Sequence, residues 1–139
     1  MVRRRWFILV VFGLLSWILL GSSALPQDVA RVSMEELKAM LDKGEAVVIV
    51  DDRPKAEFDR QHIKGAVSLP WALDVSEDEK KALPKDRLII TYCDCGPGES
   101  DSADVANQLI LAGFNNVKTL ANGWTAWQEA GYPVERGKK

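Results

Sequence analysis

The chain has 139 residues, enough for one domain of ordinary size or a small domain with a targeting segment, and too few for two. Apolar residues at 47% and charged residues at 27% fit a globular chain with a core, and 10 Gly, 6 Pro and 2 Cys exclude collagen-like and disulfide-scaffold proteins. A net charge of −2 gives no electrostatic footprint for nucleic acid, and one His with two Cys cannot supply a four-ligand zinc site.

The charge is unevenly placed. Residues 1–24 hold Arg3, Arg4 and Arg5 and no acid, then an uncharged apolar run from Trp6 to Leu20, then the small residues Gly21-Ser22-Ser23-Ala24. This is the layout of a signal peptide, or of an N-terminal anchor if it is not cleaved. The 15-residue run is shorter than the roughly 20 residues that span a bilayer comfortably. Residues beyond 24 are therefore expected to be exported, in the periplasm or another extracytoplasmic space where thiols meet oxidants. Membrane contact is expected only through residues 6–20.

Residues 25–31 read as a leader. Ser33-Met34-Glu35-Glu36 then has the form of a capping box, and Leu37, Met40 and Leu41 recur at helical spacing until Gly44. Ala46 to Val50 is a continuous β-branched run of the kind buried on both faces in a parallel sheet. Pro54 suits the first position of a short helix. Val67 to Leu69 is a brief strand halted by Pro70, and Ser76 to Glu79 is a second capping box opening a charged helix that ends before Pro84. Leu88 to Tyr92 is a third strand, with Cys93 at its end.

From Ser102, the residues Ala103, Val105, Ala106, Leu109 and Ile110 mark a helix closed by Gly113. Val117 to Leu120 is a fourth strand, and a last helix runs from about Gly123 to Gly131-Pro133. The alternation implies an α/β fold in three layers: a mainly parallel central sheet of about five strands with helices on both faces. Ligands of such sheets sit beyond the carboxyl ends of the strands. That singles out the segment Tyr92-Cys93-Asp94-Cys95-Gly96-Pro97-Gly98-Glu99-Ser100-Asp101-Ser102.

A thiol between a buried strand and a helix start meets unpaired backbone N–H groups that stabilise a sulfur anion. Gly96 and Gly98 can turn those groups inward. The candidate catalytic residues are Cys95 and Cys93. Gly96, Gly98, Glu99, Ser100, Asp101 and Ser102 are the candidate substrate-binding residues.

The sequence resembles the rhodanese-like family over most of residues 32–135. Val50-Asp51-Asp52-Arg53 looks like its strand-end Asp-x-Arg, and His62-Ile63-Lys64-Gly65-Ala66 with Leu69-Pro70 resembles its His-Ile-Pro-Gly-Ala segment. Tyr92-Cys93 is similar to the start of its active loop. Leu120 to Trp127 and Gly131-Tyr132-Pro133-Val134 match its C-terminal signature. The resemblance implies a five-stranded sheet flanked by helices and a loop cysteine that carries sulfane sulfur as a persulfide. That sulfur passes to a thiol or cyanide, with no cofactor and no metal.

Two positions compete for the nucleophile. Counting forward through the third strand selects Cys93, and counting back from Ser102 favours Cys95, which the following amides adjoin more closely. The other cysteine would resolve the persulfide or form a transient disulfide.

Asp94, Glu99, Asp101 and Asp104 give this loop an acidic character, with no basic residue between Arg87 and Lys118. Such charges oppose a thiolate and a dianion like thiosulfate, which points to a neutral or protein-bound sulfur donor. The missing loop Arg argues against phosphatase or arsenate-reductase chemistry.

Asp51, Arg53 and His62 are read as structural residues near the site, the first two as an ion pair. Trp124 and Trp127 are read as core, and Asn122 as a residue able to take left-handed geometry. A crevice position for Trp71 is not adopted.

The reading adopted is a monomeric sulfurtransferase whose partners are a small sulfur donor or persulfide-bearing protein and a thiol acceptor. The alternative is a weakly catalytic binding or redox-sensing module using the Cys-x-Cys pair. A third reading treats the two cysteines as soft ligands for a metal ion.

Overall fold

The computed structural model describes residues 28–137, so the signal-like segment and the start of the leader, residues 25–27, lie outside the described residues. In chain order the elements are β1 (Arg31–Val32), α1 (Met34–Asp42), β2 (Val47–Asp51), α2 (Lys55–Arg60), β3 (His62–Ile63), β4 (Val67–Ser68) and α3 (Glu77–Lys81). There follow β5 (Leu88–Tyr92), α4 (Ser100–Leu111), β6 (Val117–Leu120), α5 (Gly123–Glu129) and β7 (Val134–Glu135).

Local chemistry starts α1 and α3 where the sequence says it should. Ser33 Oγ accepts the Glu36 N–H at 3.1 Å while the Glu36 carboxylate accepts the Ser33 N–H at 2.8 Å, closing the capping box of α1. Ser76 and Glu79 repeat the arrangement at α3.

Five strands form one parallel sheet in the order β1-β6-β5-β2-β4. The longest register joins β2 to β5, from Val47 opposite Leu88 to Asp51 opposite Tyr92. Side chains alternate across these strands, so the sheet divides the core in two. Val50 and Ile89 pack with Val105, Leu109 and Phe114 on the α4 side. Ile49, Ile90 and Tyr92 pack with Leu37, Leu120, Trp124 and Trp127 on the side of α1 and α5. The central sheet thus has helices on both faces, as expected.

Three features depart from the sequence reading. Arg31–Val32, which straddles the boundary between the expected leader and the domain, is an edge strand held by N–H groups of Thr119 and Ala121 donating to the carbonyls of Ala30 and Val32. A two-residue strand carries no periodicity to read. His62–Ile63 pairs antiparallel with Val134–Glu135, a contact between residues about 70 positions apart that only folding creates. The helix expected from Ser102 begins at Ser100, because a left-handed residue, Glu99, rather than a serine side chain ends the loop. Among the described residues no helix is long and apolar enough to cross a membrane.

Candidate active site

β2 and β5 end side by side at the middle of the sheet, and the last pair of their register, Asp51 and Tyr92, builds the floor beneath the site. Asp51 is fully buried. Its Oδ1 accepts the Arg53 N–H and Nε–H, each at 3.0 Å, and its Oδ2 accepts Arg53 Nη2–H at 2.7 Å and the Tyr92 hydroxyl. The Tyr92 hydroxyl in turn accepts the Ile63 N–H at 3.1 Å. Burial and the Asp51 charge push the Tyr92 phenol far above its usual range, so it stays a neutral donor.

Arg53 also donates to the Gln61 carbonyl at 2.7 Å and lies 4.1 Å from the Trp124 ring centre. The expected Asp51–Arg53 ion pair is present, and it commits the guanidinium to the scaffold. His62 is structural in the same way: Phe58 stacks on its ring, and its Nδ1 lies 2.8 Å from the Phe58 carbonyl.

Past these residues the chain opens a cleft of about 390 Å³ lined by Asp52, Arg53, Pro54, Glu57, Pro70, Trp71, Cys93, Asp94, Cys95 and Asp101. It lies beyond the carboxyl ends of the strands, where open α/β sheets hold ligands. Cys93 is buried and Cys95 half-buried, and the two are joined as a disulfide. Cys93 Sγ lies 3.6 Å from Ser102 Oγ, whose hydroxyl donates to the Glu99 carbonyl at 3.1 Å.

The loop amides have a defined setting. Gly96 and Gly98 take φ of +75° and +103°. The first intrahelical bond of α4 runs from the Ala103 N–H to the Glu99 carbonyl at 2.8 Å, so the amides of Ser100, Asp101 and Ser102 belong to the open first turn.

Of the candidate binding residues, Asp101 lines the cleft. Gly96 lines a neighbouring shallow cavity with Asp94, Pro97, Asn122 and Thr125, while Gly98 and Ser100 are exposed on the loop. Glu99 is corrected from a substrate contact to a strut. Its buried carboxylate accepts Arg31 Nε–H at 2.8 Å and the Asn122 N–H at 3.0 Å, tying together β1, the start of α4 and the start of α5. Four acids do not therefore converge on the sulfurs: Glu99 has a cation, Asp94 accepts the Thr125 hydroxyl, and Asp104 accepts Trp71 Nε1–H at 2.8 Å.

That last bond fixes Trp71 at the cleft, a position the sequence reading did not adopt. Its partner is 33 residues away, so no local signal marks it.

Asp52 was also missed. It is 2% exposed, and neither carboxylate oxygen has a hydrogen-bond partner among the described residues. Burial, with smaller contributions from Asp51 and Asp101, raises its pKa well above the usual carboxylate range. The readable signal was a second acid directly after a strand-end acid.

The cysteine segment is held from beneath by backbone. The Trp124 N–H donates to the Cys93 carbonyl at 2.9 Å, and a Cβ added at Gly123 would overlap that carbonyl oxygen. Asn122 takes the left-handed conformation expected of it, at φ +61°.

The family model for the rhodanese-like domain matches residues 33–130. The chain is 32% identical over 104 residues to the probable adenylyltransferase/sulfurtransferase MoeZ of Mycobacterium tuberculosis, covering 75% of this chain and about a quarter (26%) of that protein. It superposes on the BH2092 protein of Bacillus halodurans with a TM-score of 0.70 at 31% identity, covering 78% of this chain and 77% of the other. Thiosulfate sulfurtransferase of Pseudomonas aeruginosa gives a TM-score of 0.62 at 29% identity, over 80% of this chain and 21% of that one. Sulfurtransferases are therefore among its relatives. The strand-end Asp51–Arg53 pair, the cysteine loop beyond β5 and the matched sequence identify the chain as a member of the rhodanese-like domain family.

Proposed function

We propose that this protein carries sulfane sulfur on its Cys-x-Cys loop. The observation that carries the reading is the placement of Cys95 and Cys93 in the cleft beyond β5 and β2, next to glycine-turned loop amides and the open first turn of α4. The Cys95 thiolate, the more accessible of the two, attacks the outer sulfur of a persulfide donor. The donor's S–S bond breaks, its thiolate leaves, and Cys95 holds the sulfur as a persulfide. An acceptor thiolate or cyanide then takes that outer sulfur and releases the Cys95 thiolate.

The cleft favours a donor of low charge or a protein-bound one. Asp52, Glu57, Asp94 and Asp101 line it, and its one cationic side chain, Arg53, is bound to Asp51. The N-terminal segment supports export of the domain to an oxidising compartment.

The Cys93–Cys95 disulfide favours a second reading, thiol–disulfide sensing. The two readings are chemically linked. The Cys93 thiolate can attack the inner sulfur of a protonated Cys95 persulfide, forming the disulfide and releasing hydrosulfide. Two equivalents of an external thiol then restore both cysteines and leave as their own disulfide.

The test uses the full chain, reduced and then incubated with thiosulfate, an organic persulfide and a persulfide-bearing protein, and weighed beside Cys93→Ser and Cys95→Ser. A one-sulfur adduct that cyanide strips, absent from one variant, is expected. No adduct with any donor, together with reversible closure of the disulfide, overturns sulfur transfer in favour of redox sensing.

A further inference from the structure

β2 and β5 continue side by side for one residue beyond their last register pair, because the Asp52 N–H donates to the Tyr92 carbonyl at 2.9 Å. That extension sets Asp52 beside Cys93. In a parallel ladder, residues in register direct their side chains to the same face. Asp51 and Tyr92 meet on the face of α1 and α5, so Asp52 and Cys93 turn to the face of α4. The first turn of α4 agrees, since Cys93 Sγ lies 3.6 Å from Ser102 Oγ and Asp52 lines one cleft with Asp101, the preceding residue. Both residues line the same cleft.

A carboxyl group here has no structural partner. Asp51, one residue earlier, holds the scaffold together through Arg53 and Tyr92, whereas both Asp52 oxygens are buried without a hydrogen bond among the described residues. Burying such a group unpaired costs stability.

We propose that Asp52 is the acid–base group of the cysteine pair, supplying the proton to Cys93 when the Cys93–Cys95 bond opens and taking it back when the bond closes. The inference rests on the reading of this pair as the working site. An external thiolate attacks the half-buried Cys95 sulfur, the S–S bond breaks, and the electron pair goes to Cys93. Asp52 gives that sulfur its proton and becomes a carboxylate, which recovers the proton from Cys93 when the bond closes. A second external thiol releases Cys95 from the mixed disulfide.

The titratable and charged groups that share the cleft with Asp52 among the described residues are Arg53 on its own strand end, Glu57 on α2, Cys93, Asp94 and Cys95 on the loop and Asp101 on α4; Asp51 acts on it from the adjacent position of the chain. Burial, and then the charges of Asp51 and Asp101, raise the Asp52 pKa well above the usual carboxylate range and so favour its proton-bearing form, and Arg53 is engaged by Asp51.

The test is the rate at which dithiothreitol opens the disulfide of the full chain, followed by alkylation and mass between pH 5 and 10 and expressed per dithiothreitol thiolate. In the wild type this rate is expected to be flat at low pH and to fall as Asp52 ionises. In Asp52→Asn it is expected to be about 100-fold lower and without that break. In Asp101→Asn the break is expected at lower pH, because one repulsive charge is gone. A wild-type profile without a break, or an Asp52→Asn profile that coincides with it, overturns the proposal, and the wild-type profile alone decides should the variant fail to fold.

Sulfur loading by mass on the same protein reports separately on the sulfur-carrier reading. A break without loading removes that reading and leaves Asp52 in its role, and loading without a break does the reverse.

Discussion

Gly123 is the most sensitive point of contact between α5 and the cysteine loop, and Gly123→Ala measures how much that contact matters. The added methyl would overlap the Cys93 carbonyl oxygen and stand 3.2 Å from the Cys93 carbonyl carbon, both backbone atoms that no rotamer change can move. Relief requires the start of α5 to part from the end of β5 by about 1 Å, given ordinary carbon contacts of about 3.5 Å or more. The hydrogen bond from Trp124 N–H to the Cys93 carbonyl, now 2.9 Å, would then exceed bonding range.

Losing that bond costs about 1 kcal/mol. A non-glycine residue at φ +55° adds about 1–2 kcal/mol. The expected destabilisation is therefore about 2–3 kcal/mol, measured as a shift in urea midpoint at unchanged m-value. Because Cys93 itself is displaced, disulfide closure and sulfur loading at Cys95 are expected to slow as well. A midpoint change worth under about 0.5 kcal/mol with unaltered closure would refute the argument that this backbone contact positions the cysteines.

Tyr92→Phe removes the hydroxyl that accepts from the buried Ile63 amide and donates to Asp51, and a loss of about 1–3 kcal/mol in urea unfolding is expected. Glu99→Ala leaves Arg31 and the Asn122 amide without their acceptor; a similar loss is expected, with faster hydrogen exchange at Thr119 and Ala121, whose amides hold the edge strand. Unchanged exchange there would contradict the role of Glu99 as a strut. Asp52→Asn should alter the pH dependence of stability with a definite sign. Above the unfolded carboxyl pKa, about 3.9, the native state retains a proton that the unfolded state releases. Wild-type stability therefore falls as pH rises from there towards the raised folded value. The variant should lack this decline, so its stability relative to the wild type grows as pH rises above about 4 in urea midpoints, and parallel profiles would count against a raised Asp52 pKa.

The amino-acid sequence alone determined the elements whose signals are local. The strand-forming runs at 46–50 and 88–92, the capping boxes at Ser33 and Ser76 and the glycine after α4 fix strands and helices through neighbours within a few residues. Their alternation requires a parallel sheet covered on both faces, and that topology puts the cysteine loop at the sheet's open end. The Asp51–Arg53 pair was legible for the same reason, its partners being two residues apart.

Tertiary structure decided what depends on distant partners. In sequence terms Asp52, just after β2, and Glu99, in the loop after β5, are both acids that follow the end of a central strand. Folding brings Arg31 to Glu99, making it a strut, and buries Asp52 at the end of the central strands near the Asp101 charge. A carboxyl group's role is set by the charges and water around it, and those surroundings are assembled from residues tens of positions away.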